Sequence, residues 1–303
     1  MSNSIAFFTE MPFKGKVPRT HENMRVEFAW MCALEADHYN INEIPDSKYK
    51  LGVVIIPKKN PYFNIETLKQ VCEKVAIMQE GPHWYFQDYP IEQQIWYFNT
   101  LVDADIIFTH NVTDKNYYKG LTNHNDVRVL PSLMIEDSIR NLPVEDRQGV
   151  MIGGNLVHWY GGFDSFIVAS ELNESIYAPS MGRKTPGEES LGINHLPYMN
   201  WVEWIKELNK YKYAVHLMRT HAAGTFALNC AYLAIPCIGY QGLDTQEQCH
   251  PDLTVEVGDL LQAKKLIRKL KEDKAFYAHC AKIAKQNYLL KYHENKFYTA
   301  FKK

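Results

Sequence analysis

Short apolar runs alternate with longer amphipathic stretches along this chain, and they do so in two separate series. The first opens with IAFFT at Ile5–Thr9, a strand pattern, and continues through a loop holding Pro12, Gly15 and Pro18. HENMRVEFAWMCALEADHY then sets Met24, Phe28, Met31 and Leu34 at helical spacing and predicts a single helix. Further strands are predicted at Leu51–Pro57, Val75–Gln79, Asp105–His110 and Val127–Pro131, with helices in IETLKQVCEKV and IEQQIWYFNTLVDA. Strands separated by helices imply right-handed crossovers and a parallel sheet covered on both faces. Functional loops of such a sheet gather at the carboxyl ends of its strands. Here those ends carry Thr9–Arg19, Glu80–Asp88 and Thr109–Asp114.

The alternation lapses over Leu130–Gly149, which has no long apolar element and holds Pro143, and then resumes. GVMIGG, SIYAP, YAVHLM, IPCIGY and LTVEV read as strands. The helices predicted here lie in GGFDSFIVASEL, MNWVEWIKELNKY, GTFALNCAYLA and DLLQAKKLIRKLKED, and the tail from Lys274 reads as helical throughout. The division that follows is residues 1–145, residues 146–285 and a terminal helix over 286–303 packing back on the first domain. The expected fold class is α/β, with two Rossmann-like doubly wound domains facing a central cleft, a common place for ligands.

The chain's 303 residues suit two domains. A formal charge of -2 gives no broad basic field, which argues against strong sequence-independent nucleic-acid binding but leaves room for a local basic groove. Six scattered cysteines without a C-x-x-C pair are the pattern of reduced intracellular thiols. No apolar run approaches the roughly 20 residues needed to span a bilayer. The first residues read as a strand rather than a signal peptide, so a cytoplasmic location is expected, that of the host cell if the chain is viral.

Met218–Tyr240, MRTHAAGTFALNCAYLAIPCIGY, is the most informative segment. With its strand, loop, Gly and aromatic opening a helix, and small-residue–Pro strand, it resembles the donor-binding region of GT-B nucleotide-sugar glycosyltransferases. Gly224, Phe226, Asn229, Ala234 and Pro236 keep that layout, and the likeness runs over roughly Gly149–Tyr288. The resemblance implies an acceptor domain over 1–145 and a donor domain over 146–285, with a nucleotide sugar, UDP-linked first among the options, as substrate and no separate cofactor. Many retaining members carry two Glu separated by seven intervening residues around this Gly; His221 and Asn229 stand at those positions here, so retention versus inversion stays open. Asn229 can still donate and accept hydrogen bonds to a ribose.

A nucleotide diphosphate leaves as an anion, and helix N-termini with close-approaching glycine hold such groups. Gly224 and Thr225 open one helix, and Gly161 and Gly162, after Asn155, open another. Arg219 and Arg183 follow predicted strands and offer guanidinium forks, with Lys184 beside the latter. The donor-binding set is therefore Asn155, Gly161, Gly162, Arg183, Arg219, His221, Gly224, Thr225 and Asn229.

An inverting transfer needs a base for the acceptor hydroxyl. The candidates are His21, Glu80, His83, Asp88 and His110; Glu80 and His83 are favoured and His21 is retained, with Trp84 and Tyr85 as an aromatic platform. Asp103 and Asp105 form an Asp-x-Asp that most simply flanks a strand, and no metal is expected. General likeness to bacteriophage DNA-modifying transferases adds a hydroxymethylated base in DNA to the acceptor classes, beside a glycan, a lipid-linked sugar or a small metabolite. Lys14, Lys16, Arg19 and Arg25, with Lys58, Lys59 and Lys119, would form the basic groove such DNA requires. The alternatives are a nucleotide-sugar epimerase or phosphorylase of the same fold and a non-catalytic sugar-nucleotide-binding protein.

Overall fold

The structure is a computed structural model and describes residues 4–56, 63–79, 81–124, 126–143, 146–180 and 185–302. The chain divides into two compact units: Met1–His21, Arg25–Ile135 and Phe297–Lys303 form the first, and Glu22–Met24 with Glu136–Lys296 the second. The change of unit thus falls at Ile135–Glu136, ahead of the junction expected after residue 145. Ile139 explains the difference: it is buried and its carbonyl accepts the Tyr232 hydroxyl at 3.1 Å, while Glu136 accepts the Tyr288 hydroxyl at 2.7 Å. An apparently structureless segment is therefore committed to the second unit.

Among the described residues the first unit holds β1 (Ile5–Thr9), β2 (Gly15–Lys16), β3 (Asp37–Asn40), β4 (Tyr49–Ile56), β5 (Cys72–Gln79), β6 (Ile106–Thr109) and β7 (Val127–Val129). Their order is β2-β3-β1-β4-β5-β6-β7, parallel except where β2 meets β3. The helices are α1 (Val26–Ala33), α2 (Ile65–Lys69), α3 (Ile91–Asp103) and α4 (Val112–Thr122). Two sequence expectations fail here. The first predicted helix stops at Ala33, because Glu35 turns left-handed at φ 48, and residues 37–40 pair with β1 instead. His38 fixes that pairing, with Nε2 at 2.8 Å from the Thr9 hydroxyl and Nδ1 at 2.6 Å from the Phe13 carbonyl. Likewise α2 ends at Lys69, and Cys72 begins a strand in register with Tyr49. Both segments trade a local helical pattern for ladder bonds and a buried face. The core gathers Phe8, Val54, Ile77, Tyr97, Ile107 and Tyr118.

The second unit holds β8 (Val150–Ile152), β9 (Ile176–Ala178), β10 (Asn194–His195), β11 (Tyr213–His216), β12 (Cys237–Tyr240) and β13 (Thr254–Val255). All pairings are parallel, in the order β10-β9-β8-β11-β12-β13. Its helices are α5 (Gly162–Ala169), α6 (Trp201–Leu208), α7 (Thr225–Tyr232), α8 (Asp244–Cys249), α9 (Leu260–Glu272) and α10 (Lys274–Lys291), followed by α11 (Glu294–Lys302). Strands β8, β11 and β12 are buried along their whole length, as expected of a sheet covered on both faces. The order reverses direction where β8 neighbours β11, which makes that pair the topological switch point of the sheet.

The tail is not one helix. It breaks at Tyr292–His293, and from Phe297 the chain belongs to the first unit. Phe297 is 1% exposed, with its ring stacked 6.2 Å from Trp30, and Phe301 lies 5.9 Å from Phe108.

Candidate functional site

The switch point of the second unit brings Gly153, Gly154 and Asn155, after β8, beside His216 and Leu217, at the end of β11. His216 is 6% exposed, its ring edge-on to Phe226 at 5.0 Å. Burial pushes its pKa down to about 4, so the ring is neutral near pH 7. A β-carbon on Gly153 would stand 2.5 Å from the imidazole, so glycine there admits the ring. His216 Nε2 and Asn155 Nδ2 are buried without a hydrogen-bond partner among the described residues. Such atoms are uncommon and costly, and they mark places where a ligand or water completes the bonding.

Gly161 and Gly162 wedge the start of α5 against this edge. Gly161 is left-handed at φ 63, and a β-carbon on it would overlap the Leu217 carbonyl; one on Gly162 would overlap that of Asn155. Ser165 completes the joint, its hydroxyl donating to the Gly161 carbonyl at 2.8 Å and accepting the Leu217 N–H at 2.9 Å. Packing thus requires glycine at both positions.

The two helix N-termini differ in charge. Asp164 lies in the first turn of α5 and accepts Arg219 at 2.7 Å and the Tyr240 hydroxyl at 3.1 Å. The Asp164 carboxylate raises the Arg219 pKa, while burial and then Asp164 push the Tyr240 phenol up to about 12. The α5 terminus already faces a carboxylate. α7 has no acid in its first turn, and its N-cap, Gly224, offers no side-chain cap. Its first N–H groups carry the positive end of the helix dipole, so α7 is the better anion seat.

Of the donor-binding residues expected from sequence, Asn155, Gly161, Gly162, Arg219, His221, Gly224 and Thr225 fall on the loops and helix starts following β8 and β11. Thr225 is exposed, and the His221 imidazole packs over Gly242 of the turn after β12. Asn229 sits one turn into α7 at 3% exposure. Arg183 and Lys184 lie outside the described residues.

In the first unit, Glu80 lies outside the described residues. His83 opens the short helical turn His83–Asp88 after β5, and its Nδ1 lies 2.7 Å from Oδ1 of Asp114 in the first turn of α4. His21 stacks on Phe28 at 4.9 Å, and His110 lies 5.1 Å from Trp30. Asp88 is exposed at the end of its turn. Trp84 and Tyr85 are half-buried, 6.4 Å apart and tilted rather than coplanar. Asp105 accepts the Val75 N–H at 2.7 Å and so ties β5 to β6, which gives the Asp-x-Asp a structural role.

Sequence reasoning missed Asp114, Asn111, Asp164 and His216. One local signal existed: Asn111 and Asp114 have the spacing of an N-cap and its third helical residue, which locates the start of α4. The others depend on strand order.

No family model and no curated protein matches the chain. Solved structures do. Sucrose-phosphate synthase from Thermosynechococcus elongatus superposes with a TM-score of 0.68 at 10% identity, covering 99% of this chain and 97% of that one. An α-glucosyltransferase, in complex with UDP-glucose and DNA containing an abasic site, gives 0.65 at 11% identity, covering 99% and 98%. TarM gives 0.63 at 8% identity, covering 83% of this chain; the match spans about half of TarM's length, 53%. With its two parallel-sheet units and C-terminal helices, the chain has the GT-B fold of these glycosyltransferases.

Proposed function

We propose that the chain is a glycosyltransferase that moves a sugar from a nucleotide-diphosphate sugar, UDP-linked, to an acceptor hydroxyl. The observation that carries the donor half is the start of α7, a helix N-terminus with no side-chain cap and no first-turn acid. A diphosphate suits such a terminus because the free N–H groups and the helix dipole both favour negative charge. Among the described residues Nε2 of His216 and Nδ2 of Asn155 have no hydrogen-bond partner, which supports a polar ligand at the same carboxyl edge. Arg219, half-exposed and paired with Asp164, would exchange or share that carboxylate with a phosphate oxygen. That the similar structures are transferases supports transfer over the epimerase and non-catalytic readings.

For the acceptor we favour a hydroxymethylated base in DNA. The α-glucosyltransferase crystallised with UDP-glucose and DNA matches this chain along nearly its whole length. Lys14, Lys16, Arg19 and Arg25 are exposed on the segment after β1, as a strand of phosphates would need. Lys58 and Lys59 lie outside the described residues, and Lys119 is exposed late in α4.

The test is thermal unfolding with UDP-, GDP- and ADP-sugars. A ligand that binds only the native state at a hundred times its Kd adds about 2.7 kcal/mol, which shifts Tm measurably. No shift with any nucleotide sugar sinks the donor reading. Nucleoside diphosphate release with hydroxymethylated but not plain duplex DNA would establish the acceptor; equal release with both rejects it.

A further inference from the structure

We infer that a cavity at the amino edge of the second sheet binds a small phosphorylated molecule, with its phosphoryl group among Arg140, Lys212 and Lys285 and in front of Arg147. The cavity lies wholly within the second unit, at the end of the sheet opposite the loops that follow β8 and β11.

Backbone bonds place it there. The Gln148 N–H donates to the Lys210 carbonyl at 3.0 Å and the Lys212 N–H to the Gly149 carbonyl at 3.2 Å, just before β8 and β11 begin. The two strands are parallel neighbours, so their amino ends share this edge. The cavity has a volume of about 580 Å³. Small-molecule sites span roughly 300–1,000 Å³. Its charged lining is Arg140, Arg147, Lys212 and Lys285, with Asp146 as the one acid among the described residues.

Shared acceptors draw the cations together. Arg147 donates to the Leu233 carbonyl at 2.7 Å and Lys285 Nζ to the adjacent Tyr232 carbonyl at 2.6 Å. Lys285 also lies 4.0 Å over the Tyr232 ring. Lys212 lies 5.9 Å from the centre of the Tyr277 ring, whose hydroxyl donates to the Lys212 carbonyl at 2.9 Å.

Helix capping explains only part of this charge. A helix C-terminus carries about half a negative charge. Arg147 and Lys285 bring two positive charges to the end of α7, before Lys212 and Arg140 are counted. Among the described residues no carboxylate ion-pairs with Arg147, Lys212 or Lys285. Arg140 meets Asp137 at 3.8 Å, and Asp146 is exposed. Burial pushes the Lys285 pKa down and outweighs the attraction of Glu136, whose carboxylate accepts the Tyr288 hydroxyl. Like charges held close together repel, and a bound anion removes that cost.

The donors left over suit a phosphoryl group. Arg147 spends its N–H groups on Asn209, Leu233 and Ala234, so it supplies charge rather than contacts. Among the described residues Lys285 spends one of its three donors on Tyr232, and Lys212 hydrogen-bonds through none of its three. A phosphate dianion offers three strong acceptor oxygens to such donors. Ile139, Leu142 and Leu233 add apolar wall for an organic body beside it.

Pyridoxal 5′-phosphate tests the site in the full chain. Its aldehyde forms an imine with a lysine near a bound phosphate, and borohydride reduction fixes the label for peptide mass analysis. Lys212 or Lys285 should label about fivefold faster than the exposed Lys119 and Lys274. Arg140→Gln should slow that labelling several-fold and leave Lys119 unchanged. Ribose 5-phosphate should protect the two cavity lysines. Equal protection by inorganic phosphate assigns recognition to the phosphoryl group alone, and weaker protection assigns part of it to the organic body. Sodium sulfate at matched ionic strength should protect little; protection equal to that by phosphate overturns the phosphoryl assignment. Labelling of Lys212 and Lys285 no faster than that of Lys119, or undiminished by either phosphate, overturns the site.

Discussion

The carbonyl oxygen of Leu217 occupies the space that a β-carbon on Gly161 would need. This contact joins the start of α5 to the end of β11, and Gly161 makes it from a left-handed φ of 63. Gly161→Ala should therefore destabilise the protein by about 3 kcal/mol, from left-handed strain plus an overlap with backbone that cannot rotate away. Urea unfolding measures this. A loss under about 1 kcal/mol would mean that α5 is free to shift.

Arg219 is exposed, and its pair with Asp164 should contribute little to stability. Arg219→Ala is expected to change unfolding free energy by less than about 1 kcal/mol. The same variant should shrink the thermal shift produced by a UDP-sugar. An unchanged shift would confine Arg219 to its ion pair with Asp164.

Arg147 closes the C-terminus of α7. Its guanidinium donates to the Leu233 carbonyl at 2.7 Å, the Ala234 carbonyl at 3.4 Å, the Asn209 side chain at 2.7 Å and the Asn209 carbonyl at 3.0 Å. Helix-terminal carbonyls have no intrahelical partner, and cations favour that end. Arg147→Ala should cost roughly 2–4 kcal/mol. Arg147→Lys should recover only part of it, because a single ammonium cannot span these acceptors. Denaturant midpoints of the two variants decide the matter.

Acid should weaken the fold through buried histidines. Burial holds both His216 and His250 at about 4, and His38 is lowered for the same reason. Their folded values lie below the unfolded value near 6.5, so the unfolded chain binds protons first as pH drops. Stability from these rings is complete above about pH 6.5 and is lost as pH falls toward about 4, by roughly 3 kcal/mol for each of the two deepest. Comparing urea unfolding at about pH 7.5 and about pH 5 tests this; His216→Gln should show a smaller loss than wild type. An identical loss would remove His216 from the linkage.

The returning C-terminal residues should matter to the first unit. Phe297→Ala is expected to cost about 3–5 kcal/mol, because a fully buried aromatic ring leaves a cavity beside Trp30. Tryptophan fluorescence and thermal unfolding report it. An exposed-site result, a change within about 0.5 kcal/mol, would show that α11 is dispensable.

The alternation of apolar runs with amphipathic stretches determined the class of fold, because burial on both faces of a parallel sheet demands that pattern wherever it occurs. The Gly–Thr–Phe start of α7 was legible for a related reason: strand, glycine and helix are neighbours in sequence as well as in space. Tertiary structure decided what local pattern could not. Residues 37–40 and Cys72 have helical neighbours in sequence but joined strands, since ladder pairing with β1 and β4 outweighs a marginal helix. His83 and Asp114 lie 31 residues apart, and Arg219 and Asp164 55 apart, yet each pair meets at hydrogen-bond distance. Strand order brings each of these pairs together, and strand order is set by which buried faces pack, a long-range property that no window of sequence contains.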